Sequence, residues 1–291
     1  MTKSYTITGS SVNLVPEFAG FRIQTTDYTQ GDAFQIERRT VFAAGWLPLC
    51  AEGQIAGPGD FLPLSVGGWS VVAVRDGQGV VRVLRNACRH QNMPVVGTAA
   101  GTCESFRCRF HGWTYDLQGR FLAAPPPVVP ADPTPGANDL QSLPVQVVDG
   151  LVFFAVGQGA AGFAPPELGL PYGGTVTTDI ACNWKICVEH LLGGHGVGEA
   201  EFAWIWPLMA VRRSGPVVLV EQVVPHTFLR TKLFRHVFGS AVEPQGLPAI
   251  AATKEACERL QLERAAGAPA EGGALLAPFH RALDEAYSGS S

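Results

Sequence analysis

Two cysteine and histidine pairs lie close together in the first half of the chain. Cys88 and His90 form a C-x-H pair within NACRHQNM, and Cys108 and His111 form a C-x2-H pair within RCRFHGWTYDLQGRF. Seventeen residues separate the two pairs. Thiolates and imidazoles bind soft and borderline metals. A site that uses both pairs needs a fold that brings two tight loops together.

One Cys and one His on each loop suit a Rieske-type [2Fe–2S] cluster, in which two thiolates bind one iron and two imidazoles bind the other. The predicted role is electron transfer in an oxidoreductase. A structural zinc is the alternative, because Cys2His2 is a common tetrahedral zinc set. Zinc sites usually pair like residues, as C-x2-4-C and H-x3-5-H, whereas each half is mixed here, which favours the cluster.

Composition excludes several other classes of function. The 291 residues are 46% hydrophobic and 16% charged with a net charge of −4, so a folded two-domain protein is expected and nucleic acid is not an expected partner. No apolar run reaches the roughly 20 residues that span a bilayer, and the N-terminal segment MTKSYTITGSSVNLV is not a typical leader. The sequence therefore predicts a cytoplasmic protein that has no membrane partner. An odd number of cysteines argues against a disulfide framework. The other five are predicted to be buried small residues: Cys50, Cys103, Cys182, Cys187 and Cys257.

The chain pattern predicts an α+β protein. Short β-type runs broken by glycine turns, such as FLPLSV, SVVAVRD and VVRVLRN, indicate a small antiparallel β domain, and LPVQVVDGLVFFAVG continues it after a proline-rich connection. Residues 183–192 are expected to form a helix with a broad buried face. GPVVLVEQVVP and TFLRTKLFRHVFG indicate two strands, and KEACERLQLERA and LLAPFHRALDEAY indicate two further helices.

The chain resembles the α subunits of Rieske non-haem iron oxygenases, the aromatic-ring-hydroxylating family. The resemblance rests on ERRTVFAAGW, Pro58-Gly59-Asp60, Val74-Arg75-Asp76, residues 86–121, Asn183-Trp184-Lys185, Glu189 and FHRAL. It implies an N-terminal arm at 1–39, a Rieske domain at 40–158, and a shortened helix-grip (START-like) catalytic-type domain at 159–291. It also implies a reductase or ferredoxin as electron donor and a trimer or hexamer. Family members often have Arg-Gly after the first His, whereas this chain has Gln91-Asn92.

The resemblance weakens at the mononuclear iron that the family holds with two His and one carboxylate. Anchored on Asn183-Trp184-Lys185, the family's acidic bridging residue falls on Gly193, and its two histidines fall on Gly196 and Glu201. The position of the third ligand, four residues before Cys257, holds Thr253, which is a poor iron ligand. These departures predict that the chain lacks its own catalytic iron.

A displaced iron site is the alternative. His190 and His195 keep the H-x4-H spacing, and Glu199, Glu201 or Glu255 would supply the carboxylate. The surrounding LLGGHGVGE is rich in glycine, which makes it a weak scaffold for preorganised ligands.

Three hypotheses follow for function. The preferred one is an electron-transfer protein of oxygenase α-subunit type that works with a catalytic α-type partner, so its own oxygenase activity is uncertain. The second is a complete mono- or dioxygenase of a small organic substrate, with displaced iron ligands. The third is a structural zinc module. The first hypothesis implies a homo- or hetero-oligomer that contains a catalytic α-type subunit.

Overall fold

The structure is a computed structural model of the chain. It describes residues 6–8, 24–97, 99–127, 132, 134–157, 167–193, 202–239, 249–268 and 276–288. The chain divides into two compact units. Residues 48–158 form one, which we call the β unit, and residues 1–47 with 159–291 form the other, which we call the mixed unit.

The elements are given in chain order. The helices are α1 Thr26–Thr29, α2 Gly31–Thr40, α3 Trp184–Gly193, α4 Ile250–Ala265 and α5 Leu276–Ser288. The strands are β1 Thr6–Thr8, β2 Trp46–Ala51, β3 Asp60–Val66, β4 Trp69–Arg75, β5 Val81–Arg85, β6 Gly101–Thr102, β7 Ser105–Arg107, β8 Thr114–Asp116, β9 Phe121–Ala123, β10 Ser142–Leu143, β11 Val145–Val148, β12 Leu151–Ala155, β13 Tyr172–Ile180, β14 Phe202–Ile205, β15 Met209–Ser214, β16 Val217–Thr227 and β17 Arg230–Phe238. No helix in these ranges is long and apolar enough to cross a membrane.

Three small sheets build the β unit, with strand orders β10-β5-β4-β3-β6, β11-β12-β2 and β7-β8-β9. Two hairpins share one kind of turn. At Asp76 and at Asp116 the carboxylate Oδ1 accepts the backbone N–H groups two and four residues ahead, at 2.8–3.0 Å. Such aspartate turns reverse the chain without leaving backbone donors unsatisfied. One apolar core lies beneath the third sheet and includes Val74, Phe106 and Trp113.

The mixed unit contains one antiparallel sheet with the order β1-β14-β15-β16-β17-β13. Strands β16 and β17 carry long buried apolar runs, pair with each other as a hairpin, and each have a strand on both sides. Aromatic contacts hold α5 in place, because the Phe279 ring meets Trp184 of α3 at 5.8 Å and Trp204 of β14 at 6.3 Å between centroids.

A buried ion pair joins α2 to α3. Glu37 and Lys185 are both fully buried and bind each other, and Glu37 also accepts hydrogen bonds from the Trp184 indole at 2.7 Å and from the Tyr287 hydroxyl at 2.5 Å. Lys185 Nζ further donates to Asp27 O at 2.8 Å. A buried charge is tolerated only when it is paired and hydrogen-bonded. Trp184 and Lys185 therefore fasten helices α1 and α2 to α3 within the mixed unit.

Glu189 makes a second connection of the same kind. Its carboxylate accepts a hydrogen bond from Tyr28 at 2.5 Å, binds Arg264 at 3.1 Å and lies 2.8 Å from His280 Nε2. Burial and the adjacent carboxylate raise the pKa of the Tyr28 hydroxyl well above its ordinary value. Glu189 thus connects α1, α3, α4 and α5 inside the mixed unit.

The predicted α+β fold class, with antiparallel sheets and few helices, is confirmed. The strands predicted at FLPLSV, SVVAVRD and VVRVLRN and the helix at 183–192 correspond to β3, β4, β5 and α3. Strand β13 and helix α2 are among the elements that the sequence did not predict, as are α1, β1, β14 and β15. Strand β13 is an edge strand, and its sequence YGGTVTTDI has no regular set of buried residues. Helix α2 buries the charged Glu37 together with Ala33 and Phe34, and this charge interrupts the apolar pattern by which a helix is predicted.

Candidate iron–sulfur site

The first Cys-His pair lies on a closed loop between β5 and β6. Cys88 N donates to Met93 O at 2.8 Å, and Asn92 N donates to Cys88 O at 2.7 Å. Asn92 is left-handed, with φ of 56°. Asn is one of the few residues other than glycine that visits this region readily. The Gln91-Asn92 departure from the family's pattern therefore keeps the backbone conformation that closes the loop.

The second loop, between β7 and β8, repeats this arrangement. Cys108 N donates to Trp113 O, and Gly112 N donates to Cys108 O, both at 2.8 Å. Gly112 has φ of 71°, and a Cβ there would lie 2.8 Å from Pro125 Cγ, so only glycine fits. Each cysteine thus makes the same two backbone bonds, to the residues four and five positions ahead.

The paired loops sort the four candidate ligands by type. Cys88 and Cys108 are each 1% exposed and belong to the same apolar core cluster. The rings of His90 and His111 lie further out, edge to face with centroids 4.7 Å apart, and both residues are half-buried. A thiol pair behind an imidazole pair is the donor arrangement that a Rieske cluster needs.

Tyr115 contributes a polar contact to the thiol pair. Its hydroxyl lies 3.2 Å from Cys88 Sγ and accepts a hydrogen bond from Arg89 N at 3.1 Å, which leaves its own proton for the sulfur. Burial and the neighbouring Cys88 thiol raise the pKa of Tyr115, so the group is a neutral donor. Burial also raises the pKa of the Cys88 thiol. A thiol that is hard to ionise in an apolar core becomes a thiolate when a metal ion takes the place of its proton.

His90 carries a buried atom without a protein partner. Its ring stacks on Trp113, with centroids 5.2 Å apart and an interplanar angle of 11°. Its Nδ1 is buried and has no hydrogen-bond partner among the described residues. A buried ring nitrogen without a partner calls for an explanation, and a bound iron supplies one. The four residues therefore fit a [2Fe–2S] cluster.

This fold and loop pair define a Rieske [2Fe–2S] domain, and the model of that domain family matches residues 45–144. The α subunit of benzene 1,2-dioxygenase from Pseudomonas putida is 40% identical over 112 residues, which are 38% of this chain and 25% of the relative. Biphenyl 2,3-dioxygenase subunit alpha from Rhodococcus jostii is 36% identical over 112 residues, 38% of this chain and 24% of the relative. The matched segment is thus about a quarter of these relatives' length.

Solved structures extend the likeness of fold to most of the chain. A quaternary ammonium Rieske monooxygenase superposes with a TM-score of 0.72 at 16% identity, over 92% of this chain and 95% of that one. Naphthalene 1,2-dioxygenase superposes with a TM-score of 0.59 at 17% identity, over 98% of this chain and 84% of that one. The resemblance found in the sequence is confirmed: the chain has a Rieske domain homologous to that of ring-hydroxylating oxygenase α subunits, in a Rieske oxygenase fold.

The candidate mononuclear iron residues lie only partly within the described ranges. His190 is half-buried near the end of α3, Gly193 ends that helix, and Thr253 is buried in α4. His195 and Glu201 lie outside the described residues, as do Gly196 and Glu199. The displaced-ligand hypothesis therefore stays a prediction.

The remaining cysteines follow the sequence prediction with one difference. All seven are free thiols, and Cys50, Cys182, Cys187 and Cys257 are buried, as predicted. Cys103 is only half-buried, because it lies in the loop between β6 and β7. The contact of Tyr115 with Cys88 was not predicted, because the 27 positions between the two residues carry no sequence signal for a hydrogen bond.

Proposed function

We propose that this chain is a Rieske electron-transfer protein of the ring-hydroxylating oxygenase α-subunit type, with its cluster held by Cys88, His90, Cys108 and His111. The observation that carries the proposal is the sorting of these side chains into a buried thiol pair and a half-buried imidazole pair. The cluster would take up and release one electron at a time.

The residues around the ligands have separate roles in this proposal. The backbone bonds of the two loops hold the cysteine Cα atoms, and the Trp113 ring fixes the plane of the His90 imidazole. The Tyr115 hydroxyl donates to Cys88 Sγ, which stabilises negative charge on that sulfur. The half-buried histidines are the natural point of electron exchange, because they form the outer side of the site.

We further propose that the chain lacks its own mononuclear iron and passes electrons to a catalytic α-type partner in a trimer or hexamer, after reduction by a reductase or ferredoxin. Support comes from Gly193 and Thr253, which stand where the family has an acidic bridge and a carboxylate ligand. Seven free thiols suit a reducing compartment such as the cytoplasm.

A complete oxygenase is the second candidate, and the fold favours it at one point. The superposition on the quaternary ammonium monooxygenase covers 92% of this chain, well beyond the Rieske domain. In that case the chain would bind an iron through His190, His195 and a carboxylate such as Glu201, and its substrate would be a small organic molecule.

Counting metal separates these proposals. We expect two irons and two acid-labile sulfides per chain in the purified protein, and a Cys88→Ser variant should lose both. His190→Ala and His195→Ala should leave the iron content unchanged, as should His226→Ala, a control at an exposed strand residue. A third iron that disappears in either of the first two histidine variants would establish the complete oxygenase instead. Zinc without sulfide would overturn the cluster proposal.

A further inference from the structure

One edge strand of the mixed unit is longer than any other edge strand that the structure describes. Strand β13 lies at the end of its sheet and pairs with β17 alone. It has nine residues, whereas the other edge strands in the described ranges have two to six. Proteins usually keep exposed edges short, or protect them with lysine, proline or a covering element, because a free edge can pair with another chain.

The outer side of β13 meets α4 near the C-terminal end of the strand. Lys254 Nζ donates to Asp179 O, and Ala181 N donates to Glu258 Oε1, both at 2.9 Å. The backbone groups at 179 and 181 therefore face away from β17. Alternate residues of a strand direct their N–H and C=O groups to the same side. Residues 175 and 177 thus present these groups to the outer side as well.

The middle of the strand is open on this side. We call Thr175, Val176 and Thr177 the β13 edge. Val176 is 43% exposed, Thr177 is exposed too, and no turn or loop in the described ranges bonds to the backbone of either threonine. The strand contains neither lysine nor proline, and the carboxylate of its one charged residue, Asp179, lies 3.5 Å from Lys232 Nζ. The usual protection of an edge is therefore missing.

We infer that the β13 edge pairs with the same edge of a second copy of this chain, antiparallel and across a two-fold axis at Val176. Such an interface uses the same surface on both copies. Thr175 of each copy would lie opposite Thr177 of the other, and their outward N–H and C=O groups would bond to each other. Val176 would face its own counterpart in a non-hydrogen-bonded pair, in which the Cα atoms are about 4.5 Å apart.

The sequence of the edge favours a second copy over an unrelated protein. Thr-Val-Thr reads the same in both directions, so the two-fold axis places threonine opposite threonine and valine opposite valine. Cross-strand Thr–Thr pairs stabilise sheets. Asp179 of one copy would lie opposite Gly173 of the other, so like charges do not meet. This interface needs no cluster, and it goes beyond the proposed function.

Sedimentation velocity over a range of protein concentrations tests the inference. A strand pair alone is smaller than the roughly 1,200 Å² of a stable interface, so we expect a Kd on the order of 10 µM. The wild type should convert from its smallest species to one of twice that mass between about 1 and 100 µM. Val176→Lys places like charges opposite each other and should raise this Kd at least about tenfold. Val176→Glu should act in the same way.

A mixture of these two variants is the most specific measurement. Equal amounts of Val176→Lys and Val176→Glu should restore the doubled species, because opposite charges then face each other across the axis. Thr177→Pro tests the edge without a charge, since it removes one outward N–H, is tolerated in an edge strand and should also weaken association. Val147→Lys is the matched control and should behave as the wild type, because Val147 is 40% exposed on β11, an edge strand of the β unit.

Three outcomes overturn the inference. The wild type could keep a single mass over this concentration range, or the doubled species could persist in both Val176→Lys and Thr177→Pro. A mixture of the two charged variants that stays dissociated would also contradict it. Melting temperatures within about 2 °C of the wild type establish that the variants are folded. Sulfide is measured on the same samples, so a missing cluster would overturn the proposed function and leave this inference standing.

Discussion

At the residue scale, one hydroxyl group is positioned to tune the proposed cluster. Tyr115 donates to Cys88 Sγ at 3.2 Å, and a hydrogen bond to a ligand sulfur stabilises the reduced, more negative state. Tyr115→Phe removes only this oxygen and keeps the buried ring. We expect the reduction potential to fall by on the order of 40 mV, the equivalent of about 1 kcal/mol for one electron.

Redox titration followed by visible spectroscopy measures this shift. Tyr172→Phe is the matched control, because the Tyr172 hydroxyl bonds to Thr175 in the mixed unit. Equal potentials in Tyr115→Phe and the wild type would show that the hydroxyl does not act on the cluster.

Asn92 is a second residue whose backbone conformation matters more than its side chain. With φ of 56°, it takes the position that Gly112 holds in the other loop. Asn92→Gly should retain sulfide content, whereas Asn92→Val should destabilise the loop by roughly 1–2 kcal/mol and lower cluster loading. Gln91→Val adds the same bulk at an exposed neighbour with ordinary φ. Thermal unfolding and sulfide content are the readouts, and equal values for both valine variants would contradict the prediction.

At the element scale, a buried histidine joins three strands of the mixed unit. His236 of β17 is fully buried, with Nδ1 2.7 Å from Thr175 Oγ1 of β13 and Nε2 3.0 Å from Gln222 Oε1 of β16. A neutral ring satisfies both contacts when Nε2–H donates to the amide oxygen and Nδ1 accepts from the hydroxyl. Burial lowers the pKa of His236 to about 3.

This shift predicts acid sensitivity of the sheet. In the unfolded chain, His236 has the ordinary histidine pKa of about 6.5, and in the folded chain its pKa is lowered. Between these two pKa values, the unfolded chain binds a proton that the folded chain does not. The contribution of His236 to the free energy of unfolding is therefore fully present above about pH 6.5 and decreases as the pH drops. In denaturant unfolding between pH 6 and 4, the wild type should lose up to about 1.4 kcal/mol per pH unit more than His236→Gln. His226→Gln, at an exposed residue, should follow the wild type, and parallel curves for wild type and His236→Gln would exclude the effect.

At the scale of the whole molecule, the chain divides into two compact units. The core of the β unit contains Cys88, Cys108, Trp113 and Tyr115, so metal binding and the stability of this unit are coupled. Cys108→Ser should lose the cluster and lower the melting temperature of the β unit by roughly 10 °C, with the transition of the mixed unit unchanged in calorimetry. Cys182→Ser, in the core of the mixed unit, should show the reverse. A common shift of both transitions would mean that the units unfold as one.

Local sequence was sufficient to predict four candidate cluster ligands and many of the regular elements. Cys88 with His90 and Cys108 with His111 lie within one short loop each, so spacing alone specifies which atoms can reach a metal. The strands β3, β4 and β5 and the helices α3, α4 and α5 have apolar patterns that match the period of their structure.

The other interactions depend on contacts between residues far apart in the sequence. Glu37 and Lys185 are 148 positions apart, and nothing in either segment indicates that a buried carboxylate on α2 meets a buried ammonium on α3. Which arginines have a carboxylate partner, and that Tyr115 reaches Cys88 Sγ, likewise depend on how strands and loops pack. The sequence by itself thus determined which side chains are the candidate ligands of the proposed cluster, because their spacing is local. The surroundings that would tune this site and offer it to a partner were decided only by the tertiary structure, because burial and pairing depend on the packing of distant segments.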